Sequence, residues 1–339
     1  MNFVSSKISS FPVAWLVLAL VLLLSLPLEL LAPPDPQAQA RQIRFVGGEG
    51  GRRYLFISDI AGYYGMQYHS SKDSCAMLSP NGSTKVTFVY EKSYGSINGT
   101  MANYMFPIMM KGSDALLSEQ DFFLVVDPVL RNRSIGRQNI RVIMLDPGHG
   151  GPDNGAQGRM YKEKDLALQM AKKLRASLLA KGYSVIMTRE DDSFPSLQDR
   201  VDLCKKVKPD LYISVHCNAS TDKSVNGVET YCPTPAKAPS TGDSKPGYNA
   251  YSANAFDKNN YRLAYEIQSS MVVSTKEFDK GVKHARFFVI KNAICPAVLV
   301  ETGFVSNPSE EMNLASAGRQ AAVVSAIVTG VEHYAAATK

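Results

Sequence analysis

The spacing of apolar positions changes twice along the chain. From Val13 to Leu26 it is almost unbroken aliphatic, interrupted at Pro27. From Gln42 to about Arg137 short apolar runs are separated by polar turns. Arg53 to Ile57 and Lys85 to Tyr90 read as strands, Ser58 to Tyr64 as a helix, and Asn81-Gly82 and Asn98-Gly99 as hairpin turns. From Ile140 onward strand-like and helix-like patterns alternate, as in an α/β sheet. Arg141 to Leu145 reads as a buried strand. Leu166, Met170, Leu174 and Leu178 share one face of a helix over Lys164 to Ala180. Further strands are expected at Tyr183 to Thr188, Leu211 to Val215, Gly227 to Cys232, Phe287 to Ile290 and Ala297 to Glu301. Helices are expected at Leu197 to Val207, Arg262 to Ser274 and Gln320 to Tyr334, and a Pro/Gly/Ser-rich surface loop from Pro233 to about Asn249.

These patterns divide the 339 residues into a segment at 1–40, a small β-rich domain at 41–138 and an α/β domain at 139–339. With 45% hydrophobic and 20% charged residues the chain can bury a core, which excludes a disordered or fibrous protein. A net charge of +6 without a basic block gives no footprint for nucleic acid. The first segment has Lys7 before the apolar run and Ala38-Gln39-Ala40 after it, the layout of a cleaved signal peptide. The expected mature protein is exported to the periplasm or cell envelope and has no membrane span; retention of the segment as an anchor is the alternative. Cys75, Cys204, Cys217, Cys232 and Cys295 are odd in number, so at least one stays free or pairs with another chain, and small core residues are the expected role. His284 and His333 fall outside every motif and read as surface residues.

Chemistry concentrates where strands end. One strand delivers Asp146-Pro147-Gly148-His149-Gly150-Gly151, another Ser214-Val215-His216-Cys217-Asn218, and a late one Val300-Glu301-Thr302-Gly303-Phe304, while Glu163 opens a helix. Ligands of α/β sheets gather at such carboxyl edges. Two imidazoles and one carboxylate make a three-ligand zinc site with a position left for water, and the second carboxylate would serve as a base. Plainer readings use the same residues, since a carboxylate near a helix start favours the helix dipole and a histidine at a strand end is often structural.

Taken in order, LDPGHGGPDNGAQG, KEKDLAL, TRE at 188–190, LQDRV at 197–201, ISVHCNAS, NGVETY and PAVLVETGFVSNPSEE resemble the zinc-dependent N-acetylmuramoyl-L-alanine amidases. The resemblance runs from about Arg141 to Tyr334. It implies a three-layer α/β/α mixed-sheet amidase domain, zinc held by His149, Glu163 and His216, and catalysis by Glu301. It further implies peptidoglycan as substrate, cleaved between the muramic lactyl group and L-alanine, and leaves room for an activator protein. A zinc peptidase cutting within the stem peptide, or a non-catalytic wall-binding protein, is the rival reading. Arg189 and Arg200 match family arginines and are expected to brace the scaffold by ion pairing. Cys204 and Cys217 stand where alanine-like residues are expected. Some relatives carry a zinc-covering regulatory helix after the position of Cys232, which the short Pro/Gly/Ser-rich stretch here does not favour. In the earlier region, YLFISDIAGYYGMQY followed by polar hairpins and SINGT resembles copper-amine-oxidase-N-like repeats, which implies no copper.

Overall fold

The computed structural model describes residues 43–339; the apolar run and the cleavage motif expected at 1–40 lie outside them. Residues Arg44–Lys339 form one compact unit. Two sheets run through it. The smaller, of four antiparallel strands, has the order β1 (Phe45–Gly47), β2 (Arg53–Phe56), β9 (Asp114–Ser118), β8 (Met109–Lys111). The helix α1 (Ile57–Tyr63) follows β2 and buries Ile57, Ile60 and Ala61.

The larger sheet has eleven strands. Its core is the parallel set β11 (Ser184–Met187), β10 (Val142–Pro147), β12 (Leu211–Asn218) and β15 (Ala297–Phe304). Next to β15 runs β13 (Val228–Pro233), antiparallel to it, then β14 (Asp279–Ala285), parallel to β13. The antiparallel meander of β7 (Thr100–Asn103), β6 (Tyr94–Ile97), β5 (Lys85–Val89), β4 (Ser74–Leu78) and β3 (Gln67–Ser70) continues the sheet from β14. Side chains reinforce that junction: Met101 N donates to Asp279 Oδ2 at 2.7 Å and Asn103 Nδ2 to the Val282 carbonyl at 2.9 Å.

Helices cover both faces of the parallel core, giving three layers. The helices α2 (Glu163–Ala180), α4 (Asp257–Thr275) and α6 (Ala317–Ala337) pack together, with α2 on β10 and β12 and α4 on β13. On the other face α3 (Leu197–Val207) and a helical turn at Phe288–Lys291 meet Met144, Tyr212 and Leu299. Strand alternation explains the split: Ile143, Leu145, Ile213, Val298 and Val300 point to the first layer, and their neighbours to the second. A short helix α5 (Pro308–Ala315) links β15 to α6, capped by the Asn307 side chain on Ser309 N at 3.0 Å. Among the described residues no single helix is long and apolar enough to cross a membrane.

The structure departs from the sequence reading at three points. The run expected as a strand at Phe287 to Ile290 is the helical turn Phe288–Lys291, because four apolar residues suit a buried helical turn as well as a strand. The strand in that region is the more polar β14, which apolar patterning does not reveal. The third concerns His284, read as a surface residue: it is 2% exposed, stacked on Tyr261, with its Nδ1 unpartnered. Burial, helped by the charge of Arg286, depresses its imidazole to about 4. An unfolded histidine titrates near ~6.5, so the unfolded chain binds this proton first as pH falls. The stabilisation from a neutral His284 is complete above that value and is lost on acidification toward pH 4, on the order of 3 kcal/mol in all. Thermal melts of His284→Phe between pH 7 and 4 should therefore lose less Tm than wild type; equal losses would remove His284 as the cause.

Candidate metal centre

The turn after β10 presents the first histidine in a constrained way. Gly148 N donates to the Val215 carbonyl at 3.0 Å, tying the turn to β12. His149 itself sits at φ 60°, a left-handed conformation that costs about 1–3 kcal/mol away from glycine and persists only where its surroundings enforce it. Two buried arginines enforce it. Arg200 Nη1 reaches Asp146 Oδ1 at 2.5 Å and the Pro147 carbonyl at 2.8 Å, and its Nη2 the His149 carbonyl at 2.7 Å. Arg189 donates to the carbonyls of Pro147 (3.0 Å), Gly148 (2.7 Å) and Lys164 (2.9 Å). Three successive carbonyls of the turn are thus held by guanidinium groups.

Both arginines brace the scaffold as expected, but only Arg200 does so through an ion pair. Burial works against the Asp146 charge, yet Arg200 and the Thr188 hydroxyl outweigh it and hold that carboxyl below its usual range. Arg200→Met would strand this carboxylate in the core, so we expect a loss of about 3–5 kcal/mol in denaturant unfolding. A loss below 1 kcal/mol would show that the pair is not structural.

Glycine is required twice where the ligands converge. A Cβ on Gly148 would stand 2.2 Å from His216 Cε1, and one on Gly155, at φ 65°, would stand 2.5 Å from both Glu163 Oε2 and His149 Cδ2. Into the space so left, Glu163 projects from the first residue of α2. Its Oε2 lies 3.1 Å from His149 Nε2 and its Oε1 2.8 Å from His216 Nδ1. Backbone donors fix the carboxylate from behind: Ala156 N at 2.7 Å on Oε2 and Cys217 N at 3.1 Å on Oε1. Burial penalises its charge, but the hydrogen bonds from His149 and His216 prevail and hold the carboxyl well below its ordinary value. Burial opposes the His149 imidazolium, but Glu163 and then Asp153 outweigh it and raise the imidazole above its ordinary value.

The ligand atoms of His149, Glu163 and His216 all lie within 4.8 Å of one another, a group able to hold a metal ion. The donor set, two imidazoles and a carboxylate, suits zinc. Outside it, Asp153 Oδ2 meets His149 Nδ1 at 2.8 Å, the outer carboxylate that orients a metal-binding imidazole through its other nitrogen. Sequence reasoning missed Asp153, although it lies within the DPGHGGPDNG motif.

Beside this group stands Glu301, whose register partner on β12 is His216. Its Oε2 is buried without a hydrogen-bond partner. Burial, then the charges of Glu163 and Glu229, push its carboxyl well above the usual range, with Lys283 opposing them. Glu229 is the register partner of Glu301 on the opposite strand, β13. It accepts from Asn218 Nδ2 at 2.6 Å and Tyr231 Oη at 2.8 Å and pairs with Lys283. Like Asp153 it was overlooked, though it sits in NGVETY; Lys283 carries no motif signal at all. Cys217, on the opposite pleat from His216, is fully buried and contacts the Thr302 hydroxyl at 3.3 Å, a core residue as expected.

A family profile described as N-acetylmuramoyl-L-alanine amidase matches residues 143–333. The chain belongs to this family. Strands β1 to β9 precede the matched region. Among relatives, N-acetylmuramoyl-L-alanine amidase LytC of Bacillus subtilis is 36% identical over 205 residues, 60% of this chain but only 37% of LytC. AmiC of Escherichia coli O6:H1 is 36% identical over 228 residues, covering 59% of this chain and 54% of its own. The crystal structure of the amidase from Clostridium difficile 630 superposes with a TM-score of 0.50 at 32% identity, covering 58% of this chain and 97% of that one. The mixed α/β fold expected for an amidase agrees with it. No helix occupies residues 233–249.

Proposed function

We propose that the chain hydrolyses the amide bond between the lactyl group of N-acetylmuramic acid and L-alanine in peptidoglycan, in wall remodelling or cell separation. In this reading His149, Glu163 and His216 hold zinc and Glu301 is the catalytic base. It is carried by the convergence of three ligand atoms next to a buried carboxylate with one unpartnered oxygen. A zinc ion held there would supply Lewis acidity toward water and the scissile carbonyl. The chain's own residues do the rest. Glu301 Oε2 takes the proton of the attacking water and returns it to the alanyl nitrogen as the amine leaves. Asp153 keeps the His149 ring oriented, and the paired arginines keep the turn from relaxing. A wall polymer as substrate supports export of the protein, with the segment at 1–40 as its signal peptide and the envelope as its place of work.

Digestion of purified peptidoglycan followed by mass analysis of the products tests the reading. Intact stem peptides with a free L-alanine amino terminus are expected, together with glycan strands bearing unsubstituted lactyl groups. Fragments that leave L-alanine on the muramic acid would identify a peptidase instead.

A further inference from the structure

The cavity in front of the metal centre, about 310 Å³, is lined by His149 and His216 on one side and by Phe194, Pro195 and Leu197 on another. Phe194 is 49% and Leu197 55% exposed. Single exposed apolar residues are common on proteins. Here, however, the segment that carries them is built onto the histidine turn. Gly151 N donates to the Asp192 carbonyl at 2.8 Å and to its Oδ1 at 2.9 Å. Lys164, itself buried, joins the Gly151 carbonyl at 2.7 Å to Asp192 Oδ2 at 2.8 Å. The packing is tight enough that a Cβ on Gly151 would lie 3.0 Å from Phe194 Cβ and one on Gly150 would lie 2.2 Å from the Ser193 carbonyl. Leu197 opens α3, whose start is capped reciprocally by Ser196 and Asp199. An aromatic ring and an aliphatic side chain are therefore held, half in water, on a firm support at the mouth of the metal site.

The charged groups that line this cavity are already matched: Asp146 with Arg200, and Asp153 with His149. This wall offers no spare cation to a carboxylate. On the amidase reading, on which this inference rests, the scissile amide has a neutral sugar on one side and a carboxylate-bearing peptide on the other. A pyranose ring has a C–H face that gains from an apolar, aromatic support, and it needs no counter-charge. We propose that Phe194 and Leu197 form the subsite for the pyranose ring of the muramoyl residue and so set the enzyme's preference for a sugar-bearing substrate.

The zinc-loaded full chain is to be assayed on N-acetylmuramoyl-L-alanyl-D-isoglutamine and on D-lactoyl-L-alanyl-D-isoglutamine, which has the same amide but no sugar. Phe194→Ala is expected to raise KM for the first about tenfold and to change the second less than about twofold. Phe194→Tyr, which keeps the ring, should restore the wild-type KM. Equal loss on both substrates, or loss on neither, would overturn the subsite. Should wild type cleave neither compound, the peptidoglycan digestion alone decides the amidase reading, and the subsite is judged by NMR titration with N-acetylmuramic acid against D-lactate. Weakened binding of the sugar acid alone in Phe194→Ala supports it, and unchanged binding overturns it.

Discussion

Glu301→Gln will keep its metal and lose on the order of 10²–10⁴-fold in kcat on peptidoglycan, the usual contribution of a general base. The substitution preserves shape and leaves the three converging ligand atoms, to which Glu301 does not belong, untouched. What disappears is a carboxylate oxygen that the fold leaves without any hydrogen bond, although nearly every other polar atom around it is paired. Glu229, the adjacent buried carboxylate, shows the contrast, since Asn218, Tyr231 and Lys283 satisfy it. The measurement is a pair: zinc content by elemental analysis and turnover on the same preparation. A Glu301→Gln protein that comes out metal-free would make Glu301 a ligand. Glu163→Gln is the matched control and should lose zinc, because Gln offers one carbonyl oxygen where the carboxylate presents two to the histidines.

Stripping the metal with a chelator will abolish hydrolysis and leave the fold in place, and adding zinc back will restore activity. The reason lies in how the ligands are held. His149 is set by the two arginines and Asp153, His216 by the strand β12, and Glu163 by Ala156 N and Cys217 N, none of which needs an ion. The Glu163 carboxylate is hydrogen-bonded by both histidines and by two backbone amides, so the metal-free cluster does not leave it as an unpartnered buried charge. Circular dichroism should thus be unchanged on chelation. The melting temperature should fall only by the linkage due to lost binding, which grows as RT ln(1 + [zinc]/Kd). Activity that survives complete removal of metal would end the zinc assignment, and collapse of the secondary structure would show that the site is not preformed.

The three residues that converge, His149, Glu163 and His216, were legible in the sequence because each lies in a short motif whose local geometry is dictated nearby. A Pro-Gly turn follows a buried strand at Asp146–His149, a largely apolar strand leads into His216, and another leads into Glu301. Strand ends at one edge of a parallel sheet then bring such motifs together by topology. Helix α3 was also readable to its ends, since Ser196 and Asp199 form a capping box on either side of an amphipathic start. Long-range pairing was not legible. No local pattern says that Arg200 will find Asp146, that Arg189 will spend its donors on backbone carbonyls, or that Lys283 will reach Glu229. The strand β14 escaped notice because its residues, Asp279–Ala285, lack an apolar run, and its place in the sheet comes from pairing with β13 and β7. His284 was misjudged for the same reason: its burial is a property of what packs on that strand, namely Tyr261 from α4. The sequence by itself determined which residues could bind a metal and which layer architecture would carry them. Only the tertiary structure decided which polar groups are satisfied, and therefore that Glu301 Oε2 is left free and that Phe194 is held at the mouth of the site. Satisfaction and support depend on partners far apart in the chain, and only folding sets those distances.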